Sequence, residues 1–228
     1  MHPTPDPATL QATALIDSDH PAVITFARGV VNGETYREWA VALYHAVRDG
    51  FRYDPYRFDL SPAGMRASRV LEIGTGWCVT KAALLAAAAR AVGIPARVGY
   101  ADVHNHLSTE RLRELMQTDR FIWHGYTEMW IDGAWVKCTP AFNIELCDRF
   151  GLLPLDWDGR ADSLYHPFDR AGNKHMEYVL QRGSFDDMPL AEIVADFERI
   201  YPRLMAGSRE RQAAPAGDFD ADVLRETR

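Results

Sequence analysis

Cysteine is scarce in this chain: 228 residues hold three. So sparse and odd a set excludes a small disulfide-stapled scaffold and points to a reducing compartment. Long apolar runs are also missing, and nothing approaches the ~18 consecutive apolar residues of a membrane span. The first seven residues, with prolines at 3, 5 and 7, show neither the basic stretch nor the apolar core of a secretory signal. Positive charge is in deficit, 25 Lys and Arg against 32 Asp and Glu for a formal charge of −7, which argues against nucleic acid or an anionic membrane as partner. No dinucleotide or phosphate-loop fingerprint is present, because Gly74-x-Gly76 lacks the third glycine. Asp156, Asp158 and Asp162 surround Gly159 without the residue order or closing glutamate of a calcium loop. No repeat is visible. The expectation is a soluble cytoplasmic protein, and a hydrophobic content of 47% is enough for one cored domain.

What is present is one cysteine in a telling position. Gly74-Thr75-Gly76-Trp77-Cys78 is a glycine-punctuated loop that runs into Val79-Thr80-Lys81-Ala82-Ala83-Leu84-Leu85, an Ala/Leu-rich stretch of high helix propensity. Gly93 and Pro95 then stop the helix. Cys78 is thereby placed on a first helical turn, where unpaired N–H groups and the helix dipole favour an anion. The expectation is a thiol whose pKa falls from about 8.5 into the range ~3.5–7.5. Downstream, His124 lies in Trp123-His124-Gly125-Tyr126-Thr127-Glu128-Met129-Trp130, which reads as a strand. A cysteine at a helix start and a histidine on a strand suggest nucleophilic catalysis, with the imidazole taking the thiol proton.

These residues resemble the core of the transglutaminase-like superfamily, whose Cys-His-Asp/Asn chemistry is similar to that of papain-type cysteine proteases. Gly76-Trp77-Cys78 with Lys81, Ala82 and Leu85 matches its first motif, and His124-Gly125-Tyr126-Thr127-Glu128-Met129-Trp130 its second. Trp135-Val136-Lys137-Cys138-Thr139-Pro140 matches its third, and Tyr44 to Tyr53 echoes an upstream helix. The resemblance covers roughly residues 38–145 and implies an α+β transglutaminase-like, papain-like fold, with the cysteine helix packed on a small antiparallel sheet. It also implies amide acyl transfer or hydrolysis through a Cys78 thioester, on a peptide, protein or small amide. A non-catalytic binding module that keeps the fold is the alternative. At the third position the family carries an orienting aspartate, and this chain has Thr139; Asn143, four residues on, is the other candidate to orient His124. Trp77, Tyr126 and Glu128 are the candidate substrate contacts. Glu128 shares a strand face with His124 and equally suits an ion pair.

No cofactor is implied. His104 and His106 alternate on an extended segment, but further metal ligands at useful spacing are lacking. Cys138 and Cys147 read as structural thiols. Helices are expected over residues 8–17, 34–50, 108–117 and 187–205, with strands over 96–103, 121–131, 134–139 and 174–180; Ile24 to Val31 suits either a helix or an extended piece. Residues 51–72 read as a structured loop walling the substrate groove. Residues 1–205 are expected to form one domain, with an extension over 146–205 and a mobile tail over 206–228.

Overall fold

Helix starts in this chain are set by the residues that cap them. In the computed structural model, which describes residues 5–106, 108–165, 168–206 and 218–227, α1 (Pro21–Val30) opens with proline at a first-turn position. There a missing N–H is harmless, and the His20 ring accepts the Ala22 N–H. The helix expected over residues 8–17 does not form: Pro7–Leu10 make a single 3-10 turn and the chain then runs irregularly to Pro21. The cause is polar side chains that bind backbone in non-helical geometry. Thr13 Oγ1 accepts the Ile16 N–H at 3.0 Å, and the buried Asp17 carboxylate accepts the N–H and hydroxyl of Ser68.

The second helix, α2 (Tyr36–Gly50), starts with a reciprocal cap between Thr35 and Glu38. The expected loop over residues 51–72 contains β1 (Arg52–Tyr53) and the start of α3 (Ala67–Ile73), which ends at Gly74 with φ 71°. β1 pairs in parallel with β2 (Thr75–Gly76) directly before the cysteine helix, α4 (Cys78–Ala91). Thirteen of the fourteen α4 residues are buried. Its run of alanines keeps it thin, so α1, α2 and α3 approach it closely while the sheet takes another face. Lys81 is buried within it, and its ammonium donates to the Arg48 and Phe51 carbonyls at the end of α2, at 2.9 and 2.6 Å. Burial lowers that amine to about 7.

The main sheet is antiparallel in the order β5-β4-β3-β6, from β3 (Ala96–Asn105), β4 (Arg120–Ile131), β5 (Ala134–Cys138) and β6 (Met176–Phe185). β4 and β5 form a hairpin through Asp132 and Gly133, both at positive φ as a two-residue turn requires. Between β3 and β4 lies α5 (Glu110–Met116), where Thr109 Oγ1 accepts the Leu112 N–H. α7 (Leu190–Ile200) lies within the helix expected over 187–205, and α6 (Ile144–Arg149) is a further short helix outside those expected from the sequence. Residues 207–217 and 228 of the tail lie outside the described residues. Phe219–Glu226 form a final helix, α8, whose Phe219 ring meets Tyr53 and Tyr56 while Asp222 accepts the Tyr56 hydroxyl at 2.8 Å. Among the described residues no helix is long and apolar enough to cross a membrane.

Candidate active site

Cys78 is the first residue of α4 and is 6% exposed. Burial pushes its thiol up to about 11, although the N–H groups of Gly125, Val79 and Cys78 itself act on the sulfur in the opposite direction. The lowered pKa expected from the helix start is therefore overturned: desolvation of the thiolate outweighs the first-turn donors. At neutral pH the sulfur carries its proton.

The Gly125 N–H reaches the thiol because β4 lies directly against the first turn of α4. A β-carbon on Gly125 would stand 2.9 Å from the Val79 Cα and 3.0 Å from the Cys78 carbonyl oxygen, so only glycine permits this approach. Thr127, two residues on and on the same face, donates its hydroxyl to the Ala82 carbonyl at 2.9 Å and fixes the strand along the helix. His124 is the neighbour of Gly125 in β4 and is 6% exposed. Burial, reinforced by His175, lowers its imidazole to about 4. Near neutrality the thiol and the imidazole are thus both uncharged.

His124 is set by a bulge. Ala101 pairs with His124 and Val103 with Phe121, so β4 carries one residue more than β3 across this interval, and Trp123 adopts φ 58°. The extra residue changes which face every upstream position presents relative to His124. Asp102 holds the bulge: its fully buried carboxylate accepts the Trp123 N–H at 3.1 Å, Arg120 at 2.7 Å and two of the three Arg182 guanidinium nitrogens, Nε and Nη2. Burial would raise this carboxyl, but the bonds from Arg182, Arg120 and Trp123 prevail and hold it below the usual range. Arg182 also bonds Asp196 at 2.7 Å and lies over the Trp123 ring. Asp102 carries no motif in the sequence; its one signal is an aspartate inside an otherwise apolar strand.

Two apolar cavities flank this junction. One is lined by Cys78 with Trp77, Tyr53, Phe58, Met116 and Phe197. Trp77 caps α4, packs on Phe58 and Phe197, and buries an indole N–H that has no acceptor among the described residues. The other is lined by His124, Thr139, Phe142, Cys147 and His175, among others. Thr139 lines the same cavity as the histidine, and its buried hydroxyl has no hydrogen-bond partner among the described residues. Asn143 does not line that cavity; its side-chain oxygen accepts the Tyr53 N–H at 3.1 Å and ties α6 to β1. Tyr126 is buried over Gly99, where a β-carbon would collide with its ring, and its hydroxyl donates to Gln181 at 3.5 Å. Glu128 is buried and engaged with Arg97 at 2.6 Å, Ser184 at 2.6 Å and Lys137 at 3.8 Å. The second imidazole, His175, is not apparent from the sequence, since a lone histidine before a strand carries no pattern.

Cys78, Cys138 and Cys147 are all free thiols. His104 pairs with Asp119 at 3.0 Å and His106 with Glu177 at 2.9 Å, and no cluster of three or more metal-ligating side chains occurs among the described residues.

Comparison with known proteins bears on this geometry. No curated protein matches the chain. Among solved structures, a candidate cysteine protease from Cytophaga hutchinsonii is 18% identical with a TM-score of 0.46, over 78% of this chain and 46% of that one. A candidate protease from Parabacteroides distasonis is also 18% identical, with a TM-score of 0.36, over 54% of this chain and 25% of that one. This chain therefore spans less than half of either neighbour, and likenesses of that grade say nothing of its chemistry. The transglutaminase-like superfamily matches residues 24–140, just over half of the 228, a span that runs from α1 to the end of the β4–β5 hairpin. Cys78, Gly125, His124 and Thr139 all fall inside it, on the cysteine helix and antiparallel sheet described above, and the chain belongs to the transglutaminase-like superfamily.

Proposed function

We propose that this protein is a cysteine-dependent enzyme that transfers or hydrolyses acyl groups at amide bonds. The observation that carries the reading is the seating of Gly125 on the first turn of α4, which brings the strand of His124 to the Cys78 thiol. As the sulfur attacks a carbonyl carbon, His124 takes the S–H proton, and the developing oxyanion draws on first-turn N–H groups. His124 then returns the proton to the departing amine, leaving a Cys78 thioester. Water or a second amine, deprotonated by the same imidazole, completes the cycle. The cavity on the cysteine side, walled by Trp77, Phe58 and Phe197, suits an acyl donor with a large apolar side chain from a peptide, a protein or a small amide. Thr139 lines the cavity that His124 lines, whereas Asn143 acts by joining α6 to β1. Residues 1–205 act as one catalytic domain, and three unbridged thiols suit a reducing cytoplasm.

Trapping the acyl-enzyme tests this. Incubation with 4-nitrophenyl acetate, followed by intact-protein and peptide mass spectrometry, is expected to place one acetyl group on Cys78. Cys78→Ala abolishes the adduct, and His124→Ala slows it by roughly 10²–10⁴-fold. An adduct that forms as fast in His124→Ala refutes the enzyme and leaves a fold kept for binding alone.

A further inference from the structure

A peptide cannot reach Cys78 while the cavity beside it stays shut. The residue is buried, and three residues of that cavity's wall, Phe197, Tyr201 and Leu204, come from beyond the superfamily match. Phe197 is the cover. Its ring stands 5.8 Å from that of Trp77, the residue before the nucleophile, and 6.2 Å from that of Phe58. Both are apolar ring contacts, so a substrate side chain of similar character can take the place of either partner.

The same helix grips the strand of the histidine. Asp196, the chain neighbour of Phe197, accepts the Trp123 indole N–H at 2.9 Å and the Arg182 guanidinium at 2.7 Å. Just past the end of α7, the Tyr201 hydroxyl accepts the Ile122 N–H at 2.8 Å and donates to the Arg120 carbonyl at 2.6 Å. Ile122 and Trp123 form the bulge that leads into His124, and Arg120 lies just before it. Trp123 holds φ 58° there, a strained conformation that persists only where the surroundings over-determine it. Asp196 and Tyr201 supply two of those holds, one on the ring and one on the backbone.

Before α7 the chain has a fixed base. The Asp186 carbonyl accepts Arg90 at 2.6 Å and the Asp187 carboxylate accepts the Thr13 hydroxyl at 2.8 Å, after which Pro189 caps the helix. The helix is pinned at its approach and held along its length by side chains, which suits a swing about residues 188 and 189.

We infer that α7 is a lid over Cys78 that also sets the strand of His124. Seated, it shuts the cysteine cavity with Phe197 while Asp196 and Tyr201 hold the bulge. Lifted, it admits the acyl donor and releases the bulge, so the histidine is in place only once the lid has closed on the substrate. Asp196 and Tyr201 are then positioning residues that act through Trp123 and Ile122. The inference deepens the proposed function and rests on it for its meaning. Closure of this kind also excludes bulk water from the reacting groups.

The test alkylates the protein with N-ethylmaleimide and follows each thiol by peptide mass spectrometry. It compares the wild type with Phe197→Leu and with Tyr201→Phe, which keeps the ring and loses both strand bonds. Cys138 and Cys147 are buried thiols outside the lid's cavity, so within the same molecule they report global unfolding. The expected result is a Cys78 that reacts roughly tenfold faster than either, and roughly tenfold faster again in both variants, while the other two follow stability alone. The adduct on Cys78 props the lid, so the Trp123 indole and His124 ring signals are expected to shift in ¹H–¹⁵N NMR of the labelled wild type. A Cys78 that keeps pace with Cys138 and Cys147 in every protein overturns the inference, as does an adduct that leaves the Trp123 indole signal in place. Labelling needs no turnover, so the two claims separate. A gated Cys78 that fails to acetylate leaves the lid standing and removes the enzyme. A Cys78 that acetylates through His124 at a rate untouched by Tyr201→Phe keeps the enzyme and removes the lid.

Discussion

At the scale of single residues, the site is governed by desolvation. Burial raises Cys78 to about 11 and lowers His124 to about 4, so neither bears charge near neutrality. The sequence showed where the thiol would lie, at a helix start, but not how deeply packing would bury it; that depends on Tyr53, Phe58 and Phe197, all distant in the chain. His124 carries a consequence for stability. Its folded pKa is depressed below the ordinary 6.5, so the unfolded chain takes up the proton first and the fold loses stability as pH falls from about 6.5 to about 4. Chemical denaturation at pH 7 and pH 5 is expected to show His124→Gln losing roughly 2 kcal/mol less than the wild type over that interval. Equal losses would mean that His124 is solvated in the folded state.

At the scale of elements, the site is a contact between one helix and one strand. Both were legible: the loop-to-helix change at Cys78 and the alternating strand with its Asp132-Gly133 turn are local patterns. The bulge at Trp123 was not, because it depends on a buried bond to Asp102, 21 residues away in the chain. The misplaced first helix has the same kind of cause, since Asp17 is satisfied by Ser68, 51 residues on. The closeness of α4 and β4 can be tested at Gly125, where an added methyl would meet backbone atoms at 2.9 and 3.0 Å. Gly125→Ala is expected to cost about 1–3 kcal/mol of stability and to slow Cys78 acetylation by more than tenfold, as the strand is forced off the helix. A variant with wild-type acetylation would show that the contact does not set the chemistry.

At the scale of the whole molecule, the superfamily match ends at residue 140 while the site also draws on residues C-terminal to it. His175 comes from the approach to β6, and Phe197 of α7 closes the cysteine-side cavity. The C-terminal helix braces the same region through Phe219, which packs on Tyr53 and Tyr56, and through Asp220, which pairs with Arg52 and Arg149. A tail rich in alanine, glycine and charge gave no sign of this, because its anchor is only the few buried residues Phe219, Asp222 and Val223 with the partly exposed Asp220. Phe219→Ala is expected to lower stability by about 3 kcal/mol, read by thermal or denaturant unfolding. A change within about 0.5 kcal/mol, as at surface positions, would show that α8 rests on the molecule without bracing it.

The central claim is that a neutral thiol becomes a nucleophile by giving its proton to His124. The pH dependence of Cys78 acetylation, in the wild type and in His124→Ala, tests it most directly. The wild-type rate is expected to rise through about pH 4 as His124 loses its proton and then to hold level across neutrality. In His124→Ala the rate should climb about tenfold per pH unit toward the thiol's own pKa of about 11. Two profiles that climb in parallel would contradict the account.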